Sequence, residues 1–99
     1  MQLSNAKQKM SKKRKLLEKV LAGSKNIQFN EFVTLVEAFG FTLSRINGSH
    51  HIFNHPDIPE ILNIQNKKGK AVAYQVRQFL SLIEEHALTI ESNPMEDNP

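Results

Sequence analysis

Three of the four histidines fall within a span of six residues, at His50, His51 and His55. An imidazole titrates near pH ~6.5, so it can transfer a proton at neutral pH or bind a metal ion. On a β-strand, His51 and His55 share one face whereas His50 points to the other face. A zinc site needs roughly three or four protein ligands, and these histidines would share one zinc ion only on a bulged strand. We therefore expect neither a metal nor another cofactor.

His50 directly follows Gly48 and Ser49, a pair typical of a tight turn, so its ring is predicted to be both exposed and firmly held. It can then take a proton from a ribose 2′-hydroxyl or give one to a leaving oxygen. Such proton transfer accelerates a reaction by about 10²–10⁴-fold, which suffices for slow RNA scission without a metal. Ser49 can orient a phosphate through a hydrogen bond. The alternative is a surface histidine that has no catalytic role.

A second cluster, Lys67, Lys68 and Lys70, surrounds Gly69 just before a predicted helix. Their ammonium groups add to the partial positive charge of a helix N-terminus, which makes a phosphate site. Lysines in this position also oppose the helix dipole and lower stability slightly, which favours a binding role. The alternative is a turn whose charges only keep the chain in solution.

Basic residues are concentrated at the start of the chain. Residues 1–25 contain eight basic residues and one acidic residue, a net charge of +7, whereas residues 26–99 carry a net charge of −4. A basic arm on a mildly acidic body predicts a polyanionic partner, because each neutralised phosphate releases counterions. The alternative is a solvated basic helix without a partner. The basic side chains predicted to contact RNA here are Lys12, Lys13, Arg14 and Lys15.

The composition limits the class of protein. A chain of 99 residues supports one hydrophobic core, and the absence of cysteine excludes disulfides, thiol nucleophiles and cysteine-ligated metals. No apolar run reaches the roughly 20 residues that a membrane span requires. These features predict a cytoplasmic protein.

Apolar periodicity changes along the chain from that of helices to that of strands and back again. Asn30 is the predicted N-cap of the second helix, and Asn47-Gly48 is the predicted hairpin turn, in which both residues need a positive φ. Phe53 is expected to face the core together with His51, which leaves His50 outward. The predicted elements are helix 4–22, helix 30–39, strands 41–46, 49–55 and 60–65, and helix 72–87. The predicted aromatic core is Phe32, Phe39, Phe53 and Phe79.

This order predicts an α+β fold, in which an N-terminal basic helix precedes an α-β-β-β-α unit. Two amphipathic helices would cover one face of a three-stranded antiparallel sheet. The chain is accordingly divided into a basic helical extension with its linker (1–26), one RNA-binding or nuclease domain (27–90) and a flexible tail (91–99).

The segment Gly48-Ser49-His50-His51-Ile52-Phe53, preceded by a helix that ends Ala38-Phe39-Gly40-Phe41, resembles the HicA toxins. The stretches 61–66 and 74–80 are similar to the C-terminal half of that family. The resemblance covers roughly residues 29–87, and the basic N-terminal helix is similar to an extension in longer members.

The resemblance implies a fold like that of the double-stranded-RNA-binding domain and the activity of a ribosome-independent mRNA endonuclease. A HicB-type antitoxin would inhibit it. The family's catalytic histidine corresponds to His50, which would act as a general acid or base without a metal. Lys67, Lys68 and Lys70 stand where that domain's lysine-rich helix N-terminus contacts phosphates. Two other functions remain open: an RNA-binding module without chemistry, and a protein that only binds a partner chain.

Overall fold

The computed structural model describes residues 12–90, and its elements occur in the predicted order. The beginning of the predicted first helix and the predicted tail lie outside the described residues. Within the described part of the chain, no helix combines the length and the apolar character needed to cross a membrane. The elements are α1 (Lys12–Leu21), α2 (Phe29–Ala38), β1 (Thr42–Asn47), β2 (His50–Asn54), β3 (Leu62–Gln65) and α3 (Ala73–Glu85).

The three strands form one antiparallel sheet in the order β1-β2-β3. Phe53, Leu62 and Ile64 are buried on the face that α2 and α3 cover, which confirms the predicted α+β fold with helices on one side. All six residues of β1 are exposed, because this edge strand extends past the helices. The opposite face of the sheet, called here the open face, is not covered by the helices of residues 12–90.

The predicted aromatic core is confirmed, since Phe32, Phe39, Phe53 and Phe79 are all buried. Phe79 is at its centre, with its ring centroid 5.6 Å from that of Phe32 and 5.5 Å from that of Phe39, both edge to face. Phe41 adds a third edge-on contact at 6.0 Å. These rings join α2, α3 and the start of the sheet into one apolar unit.

The N-terminal basic helix packs on the rest of the domain. Val20 is buried in the core, and Leu16 and Leu17 pack against it, so the second half of α1 is the part that docks. The Nζ atom of Lys19 lies 3.2 Å from a carboxylate oxygen of Glu31, which ties α1 to α2. This contact and Val20 together fix α1 on the outer side of the helices.

The prediction that Asn30 caps α2 was wrong, because α2 begins at Phe29 and Gln28 is its N-cap. The backbone N–H of Gln28 donates to Glu31 at 3.0 Å. That hydrogen bond lowers the pKa of Glu31 below its ordinary value of 4.5, and the ammonium of Lys19 lowers it further. Glu31 lies in the first turn of α2, where its negative charge interacts favourably with the positive helix end.

Replacing Glu31 by Gln is expected to lower the free energy of unfolding by about 0.3–1 kcal/mol at neutral pH, since the carboxylate is partly exposed and screened by water. A carboxyl whose folded-state pKa is depressed stabilises the protein above its unfolded-state pKa. The difference between wild type and Glu31→Gln should therefore fade below pH 4.5. Urea denaturation between pH 3 and pH 7, roughly the range of carboxyl titration, measures it. A difference that is the same at every pH would contradict this role of Glu31.

The hairpin turn lies one residue later than predicted. Asn47 pairs with His50, so the loop is Gly48-Ser49, and of these two only Gly48 has a positive φ, +63°. A positive φ at the first loop residue alone is typical of a type II′ turn. Ser44 has no partner where the β1–β2 register shifts by one residue. His50 is therefore the first residue of β2, directly beside the turn.

Candidate functional site

His50 lies at the turn end of the open face. Residues paired across antiparallel strands point to the same side. The pairs Asn47–His50 and His50–Gln65 therefore put all three side chains on one face, together with Arg45 and Asn63, which both pair with Ile52. This arrangement collects an imidazole, a guanidinium and three amides on a surface that no helix covers.

The imidazole of His50 is partly exposed and held by one hydrogen-bond contact. Its Nδ1 lies 3.0 Å from Oδ1 of Asn63, which is the diagonal neighbour of His50 on β3, since His50 itself pairs with Gln65. With Nδ1 engaged in this contact, Nε2 is the ring nitrogen left for a ligand or a proton. The side chain thus combines access to solvent with a restricted orientation, as general acid–base chemistry requires.

The other two clustered histidines are on the helix-covered side, as strand alternation predicted. His51 packs edge-on against Phe29, with ring centroids 4.8 Å apart, and its Nδ1 lies 3.4 Å from the carbonyl oxygen of Ser49. His55 is buried, with Nε2 3.0 Å from the carbonyl oxygen of Phe39 and Nδ1 accepting from the backbone N–H of Asp57. Both of these histidines serve the packing of the fold.

His86 is the C-cap of α3, and its Nε2 lies 3.1 Å from Oε1 of Glu60 and 3.9 Å from a carboxylate oxygen of Glu85. The contact with Glu60 lacks the alignment of a hydrogen bond and is an ion pair when His86 is protonated. The backbone N–H of Glu60 and the His86 imidazole lower the pKa of this carboxyl. Among residues 12–90 these three side chains could hold a metal ion. They lie near the start of β3, at the end of the sheet opposite His50.

The lysine-rich segment forms a small hairpin of its own. Lys67 and Lys70 exchange two backbone hydrogen bonds of 3.0 Å, and the two residues between them, Lys68 and Gly69, have φ values of +54° and +85°. Two positive φ values in a two-residue loop are typical of a type I′ turn. We call Lys67–Lys70 the lysine turn.

The lysine turn is held beside His50 by backbone hydrogen bonds. Asn66 donates its N–H to the carbonyl of Ser49 at 2.9 Å, which continues the β2–β3 pairing up to the edge of the turn. The side chain of Asn66 accepts from the N–H of Gly69 at 2.7 Å. The structure therefore brings the lysine turn close to Ser49 and His50, although the two segments lie far apart in sequence.

The lysine turn lies just before α3 in the sequence, with Ala71 and Val72 between them, and it is also hydrogen-bonded to the start of α2 and to the segment before it. The N–H of Phe29 donates to the carbonyl of Gly69 at 2.8 Å, and the side chain of Lys70 donates to Asn26. Its charges are thus set next to the N-terminus of α2, where a carbonyl of the turn already satisfies one helix N–H.

A family model described as the HicA toxin of bacterial toxin–antitoxin systems matches residues 29–84. The match covers more than half of the chain and runs from the first residue of α2 nearly to the last residue of α3. This chain belongs to the HicA toxin family. Membership makes it the toxin of a toxin–antitoxin system, with an antitoxin as its partner. A search of curated proteins found no match to this chain.

The basic residues of α1 lie outside the HicA match and away from the open face. Lys12 and Lys15 line a surface cavity with Asn30 and Thr34 on the outer side of α2. Lys13 and Arg14 make contacts within the protein. Lys12 and Lys15 thus lie beside the first turns of α2, the helix whose N-terminus is hydrogen-bonded to the lysine turn.

The sequence analysis missed two residues that lie near His50 on the open face, Arg45 and Asn63. The alternation of side chains along β1 shows which residues share a face with Arg45. Whether that face is the open one is known only from the register of β1 with β2. Asn63 has no sequence signal, because a seven-residue connection (55–61) separates the β2 and β3 strands and hides their register.

Proposed function

We propose that this HicA family member is a metal-independent mRNA endoribonuclease in which His50 acts as general acid or base. The observation that carries the proposal is the placement of His50, exposed on the open face and held by Asn63, directly beside the lysine turn. A proton-transfer group next to clustered cations is the arrangement that phosphodiester cleavage needs.

In the proposed step, Nε2 of His50 takes the proton of a ribose 2′-hydroxyl and the 2′-oxygen attacks the adjacent phosphorus. The bond from phosphorus to the 5′-oxygen breaks, and that oxygen leaves as a 5′-hydroxyl by taking the proton back from Nε2 of His50, which restores the neutral ring. The other product is a 2′,3′-cyclic phosphate. The negative charge that builds up on the phosphate oxygens is proposed to be stabilised by Arg45, Lys67 and Lys68. Ser49 is proposed to position the phosphate.

The residues around His50 support chemistry without a metal. The three strands contain no Asp or Glu, so the neighbours of His50 on the open face are amides, Arg45 and an aliphatic side chain. Hard cations are bound mainly by carboxylates. The one candidate set of metal ligands among the described residues, Glu60, Glu85 and His86, lies at the other end of the sheet.

The test is cleavage of single-stranded and structured RNA by the purified protein in EDTA. We expect scission that EDTA does not inhibit, with 5′-hydroxyl and 2′,3′-cyclic phosphate ends, and no scission at a position where a 2′-deoxy sugar is substituted. Loss of activity in EDTA, or cleavage at the 2′-deoxy position, would contradict the mechanism. Salt-sensitive RNA binding without cleavage would instead support a binding module.

Replacing Lys68 by Gly is expected to weaken RNA binding. The slope of the logarithm of the binding constant against the logarithm of the salt concentration should become less steep, by about the amount that one phosphate contact contributes. The same change should leave the stability equal or raise it, because glycine adopts the φ of +54° that strains a lysine. Fluorescence titration of a labelled RNA at several salt concentrations measures the first effect, and thermal unfolding measures the second.

Arg77→Gln is the matched control, since this exposed cation is on α3, on the side of the sheet away from His50. Equal losses of affinity in Lys68→Gly and Arg77→Gln would show a general charge effect and would remove the lysine turn from the proposed site.

We further propose that the antitoxin partner is HicB-like and covers the open face. β1 is an edge strand whose six residues are exposed: Arg45 and Asn47 lie on the open face, and the apolar Leu43 and Ile46 lie on the other side of the strand. An edge of this kind offers unpaired backbone groups and apolar area to another chain. A partner docked there would lie across Arg45 and close to His50, which explains inhibition by occlusion.

A further inference from the structure

We propose that Asn63 is the positioning residue of His50, and that its amide oxygen holds the imidazole as the tautomer with Nδ1 protonated and Nε2 free. This inference rests on the proposed function in taking His50 as the reacting group. The tautomer itself is a property of the free protein and can be measured whether or not RNA is cut.

The hydrogen-bond chemistry defines the tautomer. An amide oxygen is only an acceptor, so Nδ1 of His50, at 3.0 Å from Oδ1 of Asn63, must supply the hydrogen. In a neutral imidazole the other nitrogen then carries the lone pair. Nε2 is therefore the basic atom, and it is the nitrogen that Asn63 does not occupy.

Asn63 is itself held in place by its neighbours. Leu62 and Ile64 are buried on the helix-covered face, which fixes the direction of the Asn63 side chain toward the open face. The N–H of Gln65 donates to the side-chain oxygen of the buried Gln75 at 2.7 Å, so α3 anchors the end of β3. These contacts fix the backbone of β3 and so hold Asn63 beside His50.

The neutral amide suits a polyanionic substrate. A carboxylate at this position would also fix the ring, but it would stabilise the protonated imidazole and repel the phosphodiester. An amide orients His50 without adding negative charge next to the lysine turn. Asn63→Asp is therefore an informative variant in addition to Asn63→Ala.

The first measurement is the ¹⁵N NMR spectrum of the His50 ring in the free protein, at a pH at which the ring is neutral. We expect wild type to show a protonated Nδ1 and an unprotonated Nε2, and Asn63→Ala to show the tautomer mixture of a free imidazole. Wild type with a protonated Nε2, or an unchanged tautomer in Asn63→Ala, would overturn the proposal.

The second measurement is the pH–rate profile for RNA cleavage. Asn63→Ala should lower kcat by up to about a hundredfold with little change in KM, because the reacting nitrogen is no longer aligned. Asn63→Asp should move the ascending limb of the profile to higher pH and raise KM. Asn54→Ala is the matched control, an exposed asparagine on the same face at the far end of β2, and should leave kcat and the profile unchanged.

The two hypotheses fail in different ways. A wild-type protein that never cuts RNA contradicts the proposed function, while the ring spectrum still decides the role of Asn63. An active protein whose profile is the same in wild type and Asn63→Asp contradicts the positioning role and leaves the nuclease in place.

Discussion

Replacing His50 by Ala is expected to lower the rate of RNA cleavage by about 10²–10⁴-fold, the contribution of a positioned proton-transfer group. RNA affinity should change little, because the cations proposed to contact phosphate, in the lysine turn and at Arg45, remain. The fold should also remain, since among residues 12–90 the hydrogen-bond contact of the His50 ring is with the exposed Asn63 side chain. Single-turnover cleavage in EDTA, beside equilibrium binding of the same RNA, measures both effects.

His51 provides the matched control, because it neighbours His50 but packs on the other face against Phe29. His51→Phe keeps an aromatic ring in this contact and should retain nearly full cleavage. If His51→Phe is inactive while His50→Ala still cuts, the assignment of the reacting histidine is wrong. If both variants cut at the wild-type rate, the chemistry does not use this pair.

Replacing Phe79 by Ala is expected to lower the free energy of unfolding by about 3–5 kcal/mol. The ring is fully buried and meets Phe32, Phe39 and Phe41 edge to face, so its loss leaves a cavity where α2, α3 and the sheet join. A loss of this size is a large share of the stability of a small domain. Chemical denaturation of both proteins, analysed with a common m-value, measures the difference.

Tyr74→Ala is the control for Phe79→Ala. Tyr74 is an aromatic residue of the same helix, but it is 54% exposed, and its removal should change the stability by no more than about 0.5 kcal/mol. A Phe79→Ala protein that melts cooperatively at the wild-type midpoint would contradict the central place of Phe79 in the core.

The elements and the core could be predicted from the sequence because they follow from local periodicity. The spacing from Phe32 to Phe39 puts both rings on one side of a helix. Phe79 belongs in the same way to the apolar stripe of the last helix. Strand alternation likewise placed His50 and His51 on opposite faces. The observed bounds differ from the predicted ones by a few residues, as at β3, which begins at Leu62 rather than at residue 60.

The turn assignments show where local rules stop. Asn47-Gly48 has the preferred composition of a type I′ turn, yet Asn47 pairs with His50 and the hairpin closes at Gly48-Ser49. The type I′ geometry occurs at Lys68-Gly69, where pairing of Lys67 with Lys70 imposes a positive φ on a lysine. In both turns the pairing of the strands overrode the preference of single residues.

By itself the sequence determined the order of elements, the aromatic core, the outward side of His50 and the likeness to HicA toxins, since each depends on residue type and short-range spacing. Only the tertiary structure decided that Asn63 meets His50, that Ser49 adjoins the lysine turn and that α1 packs on α2. Those contacts depend on the β2–β3 register and on how chain segments dock. Register and docking are set by the packing of the whole core, which no short stretch of sequence contains.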